Sequence, residues 1–301
     1  MRILISGGSG LVGAALTSAL RADGHTVCCL VRPGGKALAG DVQWNPLSAL
    51  VDVPAMEGFD AVVNLNGASI AGGRWTSKRK TILRSSRVDS TRVLVDALSH
   101  LKQQPRVFVC ASATGYYGNR GDEVLTESSG YGNDFLAILC RAWEGEASRA
   151  ASAGIRTVIA RFGIILSADG GALPRMLTPF KFGAGGRLGN GKQWMSWIAL
   201  EDVVRVLRAA IDDARWNGPV NMVSPEPVRN SEFTRVLASV LHRPAIFPAP
   251  ALALRLALGE MADALLLASQ RVQPERLLQY GYGFRYENLE QALQAVIAKK
   301  A

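Results

Sequence analysis

The strongest constraint on the fold is a glycine-rich turn between an apolar run and an amphipathic stretch at the start of the chain. Arg2–Ser6 predicts a strand and Leu11–Ala22 predicts a helix. Between them Gly7, Gly10 and Gly13 have the spacing G-x-x-G-x-x-G. In a dinucleotide-binding turn the first glycine permits the tight turn, the second lets a pyrophosphate approach the backbone, and the third lets helix and sheet pack closely. The free N–H groups that begin the helix favour phosphate.

Apolar runs and helical stretches alternate over most of the chain. Further strands are predicted at Thr26–Val31, Ala61–Leu65, Val107–Ala111, Thr157–Phe162 and Pro219–Val223, and further helices at Lys78–His100, Asp134–Ala153 and Glu201–Asp213. Nearly continuous apolar strands that alternate with helices indicate a parallel sheet with both faces covered. The predicted fold class is therefore α/β, a doubly wound parallel Rossmann sheet with a smaller, mostly helical C-terminal lobe.

The pattern changes in the middle of the chain. Residues 166–197 are rich in glycine and proline and predict a long loop, and residues 224–301 predict a mostly helical segment with several prolines. The expected division is a dinucleotide-binding core of residues 1–165 and 198–223. Residues 166–197 and 224–301 would then form the substrate-binding, C-terminal lobe.

The end of the second predicted strand favours NADP(H) over NAD(H). Val31 and Arg32 end this strand, and Arg32 follows Gly13 by 19 residues. NAD-binding turns usually carry an acidic residue here, which bonds the ribose 2′-hydroxyl, whereas an arginine suits a 2′-phosphate. The alternative is an ordinary surface arginine.

Charge and hydropathy argue against two classes of partner. The chain has 34 basic and 25 acidic residues, a net charge of +9, but the basic residues are scattered. An anionic small molecule explains this excess as well as nucleic acid does. Because the basic residues form no single patch, nucleic-acid binding is kept only as a weaker alternative. The most apolar late stretch, residues 251–268, contains Arg255, Glu260 and Asp263 and predicts no membrane span.

The four cysteines predict neither a disulfide nor a metal site. Cys28 and Cys29 are adjacent in a predicted strand, so their side chains point to opposite faces, which is poor geometry for a bridge. No Cys/His cluster has metal-ligand spacing. Reduced thiols, and a chain start without a signal-peptide pattern, predict a cytoplasmic protein.

Several segments resemble the extended short-chain dehydrogenase/reductase superfamily, which includes the nucleotide-sugar epimerases. They are the glycine turn, Asp60–Ala68, Cys110–Gly118, Arg161–Leu166 and Trp197–Val204. A closer resemblance is to an epimerase-family branch with a C-terminal domain of unknown function. The features shared with that branch are Arg74-Trp75, Ser112–Gly118, Trp143-Glu144, the loop Pro179–Gly191 and Asn221–Pro225.

The resemblance implies an NADP(H) site and a set of contact residues. These are Gly7, Ser9, Gly10, Leu11, Val12, Gly13, Val31, Arg32, Leu65, Asn66, Gly67, Arg87 and Ile164. It also implies that Ser112 is the catalytic hydroxyl, with Tyr116 and Tyr117 as further candidates. The structural alternatives are that Ser112 caps the end of its strand and that the tyrosines only pack.

One difference from the superfamily concerns the residues for catalysis and not those for cofactor binding. Family members carry a Tyr-x-x-x-Lys helix for proton chemistry, with a glutamate four residues past the lysine. Glu144 matches that glutamate. Four residues before it, Cys140 stands at the position of the lysine, and four residues before that, Leu136 stands at the position of the tyrosine. Leucine has no titratable group, and a neutral thiol supplies no positive charge to lower the pKa of a phenol.

Three hypotheses follow from this departure. In the first, the chain is an oxidoreductase or epimerase on a small polar molecule, such as a sugar derivative, and Ser112, Tyr116 or Tyr117 replaces the missing pair. For a tyrosine this requires that the cofactor or Arg87 lowers its pKa. In the second, the chain binds NADP(H) without turnover, as a sensor or scaffold. In the third, the substrate carries its own acid/base group.

Overall fold

The computed structural model describes residues 1–299 and contains a large, mostly parallel sheet. The strands are β1 (Arg2–Ser6), β2 (Thr26–Val31), β3 (Val42–Asn45), β4 (Leu50–Val51), β5 (Ala61–Asn64), β6 (Val107–Ala113), β7 (Val124–Leu125), β8 (Arg156–Phe162), β9 (Ile164–Leu166), β10 (Trp194–Met195), β11 (Trp197–Ala199), β12 (Gly218–Met222), β13 (Val228–Arg229) and β14 (Arg271–Val272). The main sheet has the order β12-β8-β6-β5-β1-β2-β3-β4, and only the β3–β4 pair is antiparallel. The order reverses between β1 and β5, and ligands of such sheets bind at the carboxyl ends of the strands beside this point.

Helices cover both faces of the sheet. They are α1 (Leu11–Ala22), α2 (Ser77–Arg84), α3 (Ser90–Ser99), α4 (Phe135–Ser152), α5 (Leu173–Lys181), α6 (Leu200–Asp212), α7 (Asn230–Leu241), α8 (Ala251–Leu258), α9 (Glu260–Ala262), α10 (Glu275–Gln279) and α11 (Leu289–Ala298). Short 3-10 turns lie at Pro54–Met56 and Thr114–Tyr117, and π-helical turns at Ser85–Asp89 and Asp263–Leu267.

Strand β1 shows how the two faces are built. Ile3 and Ile5 point to one face and pack with Leu16 of α1 and residues of α6, whereas Leu4 points to the other and packs with Leu94 of α3 and residues of α4. Side chains alternate along a strand, so the three consecutive buried apolar residues Ile3, Leu4 and Ile5 mean that both faces are covered. The structure therefore confirms the predicted doubly wound α/β fold.

The prediction of one long loop over residues 166–197 is wrong. This segment contains α5, β10 and the first residue of β11. The helix α5 buries Leu173, Leu177 and Phe180 against the C-terminal lobe. These three residues have helical spacing, and Pro174 lies in the first turn of the helix, where a missing N–H is tolerated. The many flanking glycines obscured this pattern.

The C-terminal segments form a third apolar cluster, built by α5, α7 and α11. A buried carboxylate joins this lobe to the main sheet. Asp202 of α6 accepts hydrogen bonds from the Tyr282 hydroxyl at 2.8 Å and from the backbone N–H groups of Arg285 and Tyr286 at 2.9 and 3.2 Å. The parallel pair of β9 and β11 also links the two parts, and the residue boundary between core and lobe stays a prediction.

Two further sequence-based expectations concern residues 251–268 and the four cysteines. Residues 251–268 form α8, α9 and a π-helical turn, and none of the helices in residues 1–299 is long and apolar enough to cross a membrane. The four cysteines are all free thiols, as the sequence predicts.

Candidate functional site

The three glycines of the first turn have different surroundings. Gly7 has a φ of +74°, and a Cβ there would lie 2.6 Å from the carbonyl oxygen of Leu65. A Cβ at Gly13 would lie 2.2 Å from the carbonyl oxygen of Gly7. At Gly10 the same atom would meet only that carbonyl oxygen, at 3.3 Å. The fold therefore requires the first and third glycines, whereas the second lies where a ligand can approach the backbone.

The start of α1 fits a phosphate group. Gly10 is the residue before the first helical turn, and no side chain caps the free N–H groups there. The first turn also contains no acidic residue that would repel an anion. Uncapped N–H groups and the positive end of the helix dipole favour a phosphate at this place.

The remaining predicted cofactor residues lie at the same edge of the sheet, because the strands that precede them are parallel. Ser9, Leu11 and Val12 belong to the glycine turn and α1, Val31 and Arg32 to the end of β2, Leu65, Asn66 and Gly67 to the loop after β5, and Ile164 to β9. The Arg32 side chain is exposed and forms no ion pair with any residue in 1–299. Its guanidinium is therefore free to bind an anion.

A buried polar network lies beneath Ser112, at the end of β6. The Ser112 hydroxyl donates to Oε1 of Glu144 at 2.6 Å. Arg161 of β8 donates through Nε to Oε1 and through Nη2 to Oε2 of the same carboxylate, at 2.9 and 2.8 Å. Ser112 and Arg161 are only 2% and 3% exposed. Ser112 thus directs its proton to Glu144, which leaves its oxygen lone pairs to accept a hydrogen bond.

Tyr117 belongs to this network and not to the surface. It is fully buried, and its hydroxyl lies 2.7 Å from Oδ1 of Asn221 and accepts a hydrogen bond from Arg161 at 2.9 Å. Burial raises the pKa of Tyr117 to about 12. A phenol with this pKa and these partners is poorly suited to exchange protons with a substrate near neutral pH.

Tyr116 is placed differently from its neighbour. Its ring is half-buried and lies under the guanidinium of Arg161, whose Cζ is 3.6 Å from the ring centroid. The Tyr116 hydroxyl forms no hydrogen bond with any residue in 1–299. Of the two predicted tyrosines, it is the one with a free hydroxyl.

Leu136 and Cys140 of α4 face the segment that follows Ser112. A Cβ on Gly115 would lie 3.4 Å from Cβ of Leu136 and 3.9 Å from Sγ of Cys140. Burial raises the pKa of the Cys140 thiol to about 12, so the thiol is neutral. The two positions counted from Glu144 therefore face the serine segment, and neither side chain is an acid or a base near pH 7.

The loop after β5 is fixed by contacts that the sequence pattern did not reveal. Asn64 accepts from the Ser6 hydroxyl at 2.5 Å and donates to the Thr91 hydroxyl at 2.8 Å, and Asn66 donates to the carbonyl oxygen of Ser86 at 3.1 Å. Ser86 lies in a π-helical turn where the sequence predicted a continuous helix over residues 78–100. Nothing in the helical periodicity marks this turn.

Arg161 could have been singled out from the sequence. It is a charged residue that follows the apolar run Val158–Ala160 within β8, and a buried charge requires a partner. That partner, Glu144, comes from another element and is visible only in the structure. In the described part of the chain, no group of three or more His, Cys, Asp and Glu residues could hold a metal ion.

The matches to known proteins extend over almost the whole chain. A model of the "NAD dependent epimerase/dehydratase family" matches residues 3–222, and a model of "Domain of unknown function (DUF1731)" matches residues 249–296. The epimerase family protein Mb2239 of Mycobacterium bovis is 44% identical over 291 residues, which are 97% of this chain and 96% of the relative.

Solved structures agree with this assignment. The human epimerase family protein SDR39U1 (isoform 2), crystallised with NADPH, is similar with a TM-score of 0.90 and 32% identity over 99% of each chain. The Thermus thermophilus UDP-glucose 4-epimerase, in complex with NAD, has a TM-score of 0.78 and 17% identity over 100% of this chain and 99% of its own, and shows the fold alone. The chain therefore belongs to the NAD dependent epimerase/dehydratase family and also carries a DUF1731 domain at residues 249–296.

Proposed function

We propose that the chain is an NADP(H)-dependent enzyme with oxidoreductase or epimerase-like activity on a small polar molecule, such as a sugar derivative. The observation that carries the proposal is the glycine turn, in which Gly10 leaves the uncapped start of α1 open to a pyrophosphate. The unpaired Arg32 at the end of β2 favours the 2′-phosphate of NADP(H). The NADPH found with human SDR39U1 supports this choice.

The proposed cofactor contacts are the residues that the resemblance implies at the carboxyl edge of the sheet. They are Gly7, Ser9, Gly10, Leu11, Val12, Gly13, Val31, Arg32, Leu65, Asn66, Gly67, Arg87 and Ile164. Bound NADP(H) would supply or accept the hydride, so the protein has to orient and polarise the substrate. Residues 1–165 and 198–223 would bind the cofactor, and residues 166–197 and 224–301 the substrate.

Ser112 and Tyr116 are the proposed polar contacts of the substrate. Because the Ser112 proton is directed to Glu144, the serine oxygen can accept a hydrogen bond from a substrate hydroxyl. The free hydroxyl of Tyr116 can donate one to a substrate carbonyl. Tyr117 is left out of this proposal because its hydroxyl is engaged by Arg161 and Asn221 and its pKa is raised to about 12 by burial.

A second candidate function is a sensor or scaffold that binds NADP(H) without turnover. The observation that favours it is the pair Leu136 and Cys140, which puts an apolar side chain and a neutral thiol against the serine segment. A third possibility within the enzyme proposal is that the substrate carries its own acid/base group.

A turnover measurement distinguishes the proposed enzyme from the sensor or scaffold. NADPH oxidation is followed against carbonyl compounds and nucleotide sugars, and the native chain is expected to oxidise NADPH with at least one class. Tyr116→Phe is expected to lower kcat by roughly 10–100-fold, because one donor to the substrate is lost, with little change in NADPH affinity.

Tyr131→Phe is the matched control for Tyr116→Phe. Tyr131 lies beside Tyr116, with ring centroids 6.1 Å apart, and is 45% exposed. The control is expected to keep native kcat. Equal activity of Tyr116→Phe and the native chain would exclude the proposed role of Tyr116, and no turnover over the whole panel would favour the sensor.

A further inference from the structure

The C-terminal part of the chain meets the candidate site at β14, which consists of Arg271 and Val272. This strand pairs in parallel with β7, and Val272 is fully buried in an apolar cluster with Tyr117 and Leu125. Tyr116, one of the two proposed substrate contacts, packs against the same cluster. The start of β14 therefore lies beside the turn that contains Tyr116.

Gln270 immediately precedes β14, and its side chain contacts the segment that follows Ser112. The Thr114 hydroxyl donates a hydrogen bond to Oε1 of Gln270 at 2.9 Å. Thr114 is the first residue of the 3-10 turn Thr114–Tyr117 and is only 7% exposed. A side-chain amide offers one carbonyl oxygen and two N–H donors. The contact with Thr114 therefore fixes the amide through its oxygen and leaves both N–H donors of Nε2 unused.

The amide nitrogen of Gln270 is open to a ligand. Within residues 1–299, Nε2 forms no hydrogen bond, and it is not one of the buried side-chain atoms that lack a partner, so it reaches open space. The side chain as a whole is half-buried. A molecule that displaces water from these two N–H donors must offer an acceptor in exchange, because a buried donor without a partner is unfavourable. The amide therefore selects ligands that place an oxygen against it.

The backbone around Gln270 is held by two different segments of the chain. The N–H group of Gln270 donates to the carbonyl oxygen of Trp194 at 3.2 Å, and its carbonyl oxygen accepts from the Ser196 hydroxyl at 2.8 Å. The preceding residue, Ser269, donates through its N–H group to Oδ1 of Asn119 at 3.0 Å. Asn119 follows the turn that contains Tyr116, whereas Trp194 belongs to β10. A donor held in this way needs little reorganisation to bind a substrate.

We infer that Gln270 is a substrate-binding residue, whose Nε2 donates to a second oxygen of the substrate while Tyr116 binds the reacting carbonyl. The substrate class is then a carbonyl compound with a further acceptor oxygen close by, such as a hydroxy or alkoxy ketone. Gln270 lies within residues 249–296, so the DUF1731 domain has a role, the supply of a polar substrate contact. The inference rests on the proposed function and adds to it a residue that determines specificity.

Two ketones of equal shape test this inference. Methoxyacetone differs from pentan-2-one only by an ether oxygen in place of a CH2 group. The native chain is expected to oxidise NADPH with a kcat/KM about 5–10-fold higher for methoxyacetone, the effect of one additional hydrogen bond. Gln270→Glu keeps an oxygen for Thr114 but replaces the N–H donors with a second oxygen. It is expected to lower kcat/KM for methoxyacetone by about 10-fold or more and to leave that for pentan-2-one within about threefold of native.

Variants of Thr114 and a second glutamine serve as controls. Thr114→Val removes the hydroxyl that orients the amide and is expected to lower the preference for methoxyacetone by about threefold, whereas Thr114→Ser, which keeps the hydroxyl, should restore it. Gln273→Glu is the matched control, the same change three residues further along. The Gln273 side chain forms no hydrogen bond within residues 1–299, and this variant should keep the native preference. Gln270→Glu itself should keep Tm within about 3 °C of native and the Kd for NADPH within about twofold.

A merely structural role of Gln270 would lower kcat/KM for both ketones alike. That result, a native preference in Gln270→Glu, or equal values for the two ketones with the native chain would overturn the inference. Saturation-transfer NMR on the NADP⁺-loaded protein compares binding of the two ketones without turnover. The same preference, and its loss in Gln270→Glu, is expected there even if neither ketone is reduced. If the native chain binds no NADPH, the proposed function fails, and the NMR comparison on the ligand-free chain still tests Gln270.

Discussion

Gly13→Ala is expected to destabilise the chain and abolish cofactor binding. The added Cβ would lie 2.2 Å from the carbonyl oxygen of Gly7 and 2.8 Å from Cα of Gly8. Both are backbone atoms of the turn, so only a shift of α1 or of the turn relieves the clash. We expect a loss of about 3 kcal/mol in the free energy of unfolding, and an NADPH affinity lowered by more than about 100-fold. Urea denaturation and a fluorescence titration measure the two effects.

Two other glycines serve as controls for Gly13→Ala. Gly10→Ala is expected to leave stability within about 0.5 kcal/mol of native, because a Cβ there meets one atom at 3.3 Å. It should still weaken NADPH binding, since the methyl group occupies the approach to the backbone. Gly145→Ala, in open space on α4, is expected to stabilise the chain by about 1 kcal/mol. Native stability and affinity in Gly13→Ala would refute this description of the turn.

Glu144→Gln is expected to cost about 3–5 kcal/mol in the free energy of unfolding, because it leaves the buried guanidinium of Arg161 without a counter-charge. Arg161 is 3% exposed and donates two hydrogen bonds to this carboxylate. Burial lowers the pKa of Arg161, and the Glu144 carboxylate outweighs this effect and raises it. The variant therefore removes the group that compensates the buried positive charge. Urea denaturation monitored by tryptophan fluorescence measures the loss.

The control for Glu144→Gln lies two residues further along the same helix. Glu146 pairs with the exposed residues Arg92 and Arg149, and surface pairs contribute little. Glu146→Gln is therefore expected to cost less than about 1 kcal/mol. Glu144→Gln/Arg161→Met is expected to be more stable than Glu144→Gln alone, because it removes the unpaired charge. Equal costs for the two glutamates would contradict the network beneath Ser112.

Local patterns account for the parts of the fold that the sequence predicts well. The bounds of β1, α1 and β2 agree with the prediction, because strand, glycine turn and helix signals follow one another within residues 2–31. The helix α5 was missed although Leu173, Leu177 and Phe180 are spaced as on a helix face. Their partners lie in α7 and α11, so the reason for burying them comes from remote parts of the chain.

The candidate site could also be predicted only in part, because its contacts come from remote parts of the chain. The spacing of Ser112, Tyr116 and Tyr117 does not reveal which hydroxyl is free. Tyr117 is buried because Asn221 of β12, 104 residues away, and Arg161 of β8 surround its hydroxyl. Arg87 was predicted only as a cofactor contact, and the π-helical turn that contains it leaves no mark in helical periodicity.

The central claim is that the glycine turn and Arg32 form a site selective for NADP(H), and a paired calorimetric titration with NADPH and NADH tests it most directly. We expect the native chain to bind NADPH at least about 10-fold more tightly than NADH, the effect of an arginine–phosphate contact. Arg32→Ala should remove this difference and leave NADH affinity unchanged. Arg106→Ala, which removes an exposed charge just before β6, at the opposite edge of the sheet, should preserve the difference. Binding of neither dinucleotide, or an unchanged preference in Arg32→Ala, would contradict the claim.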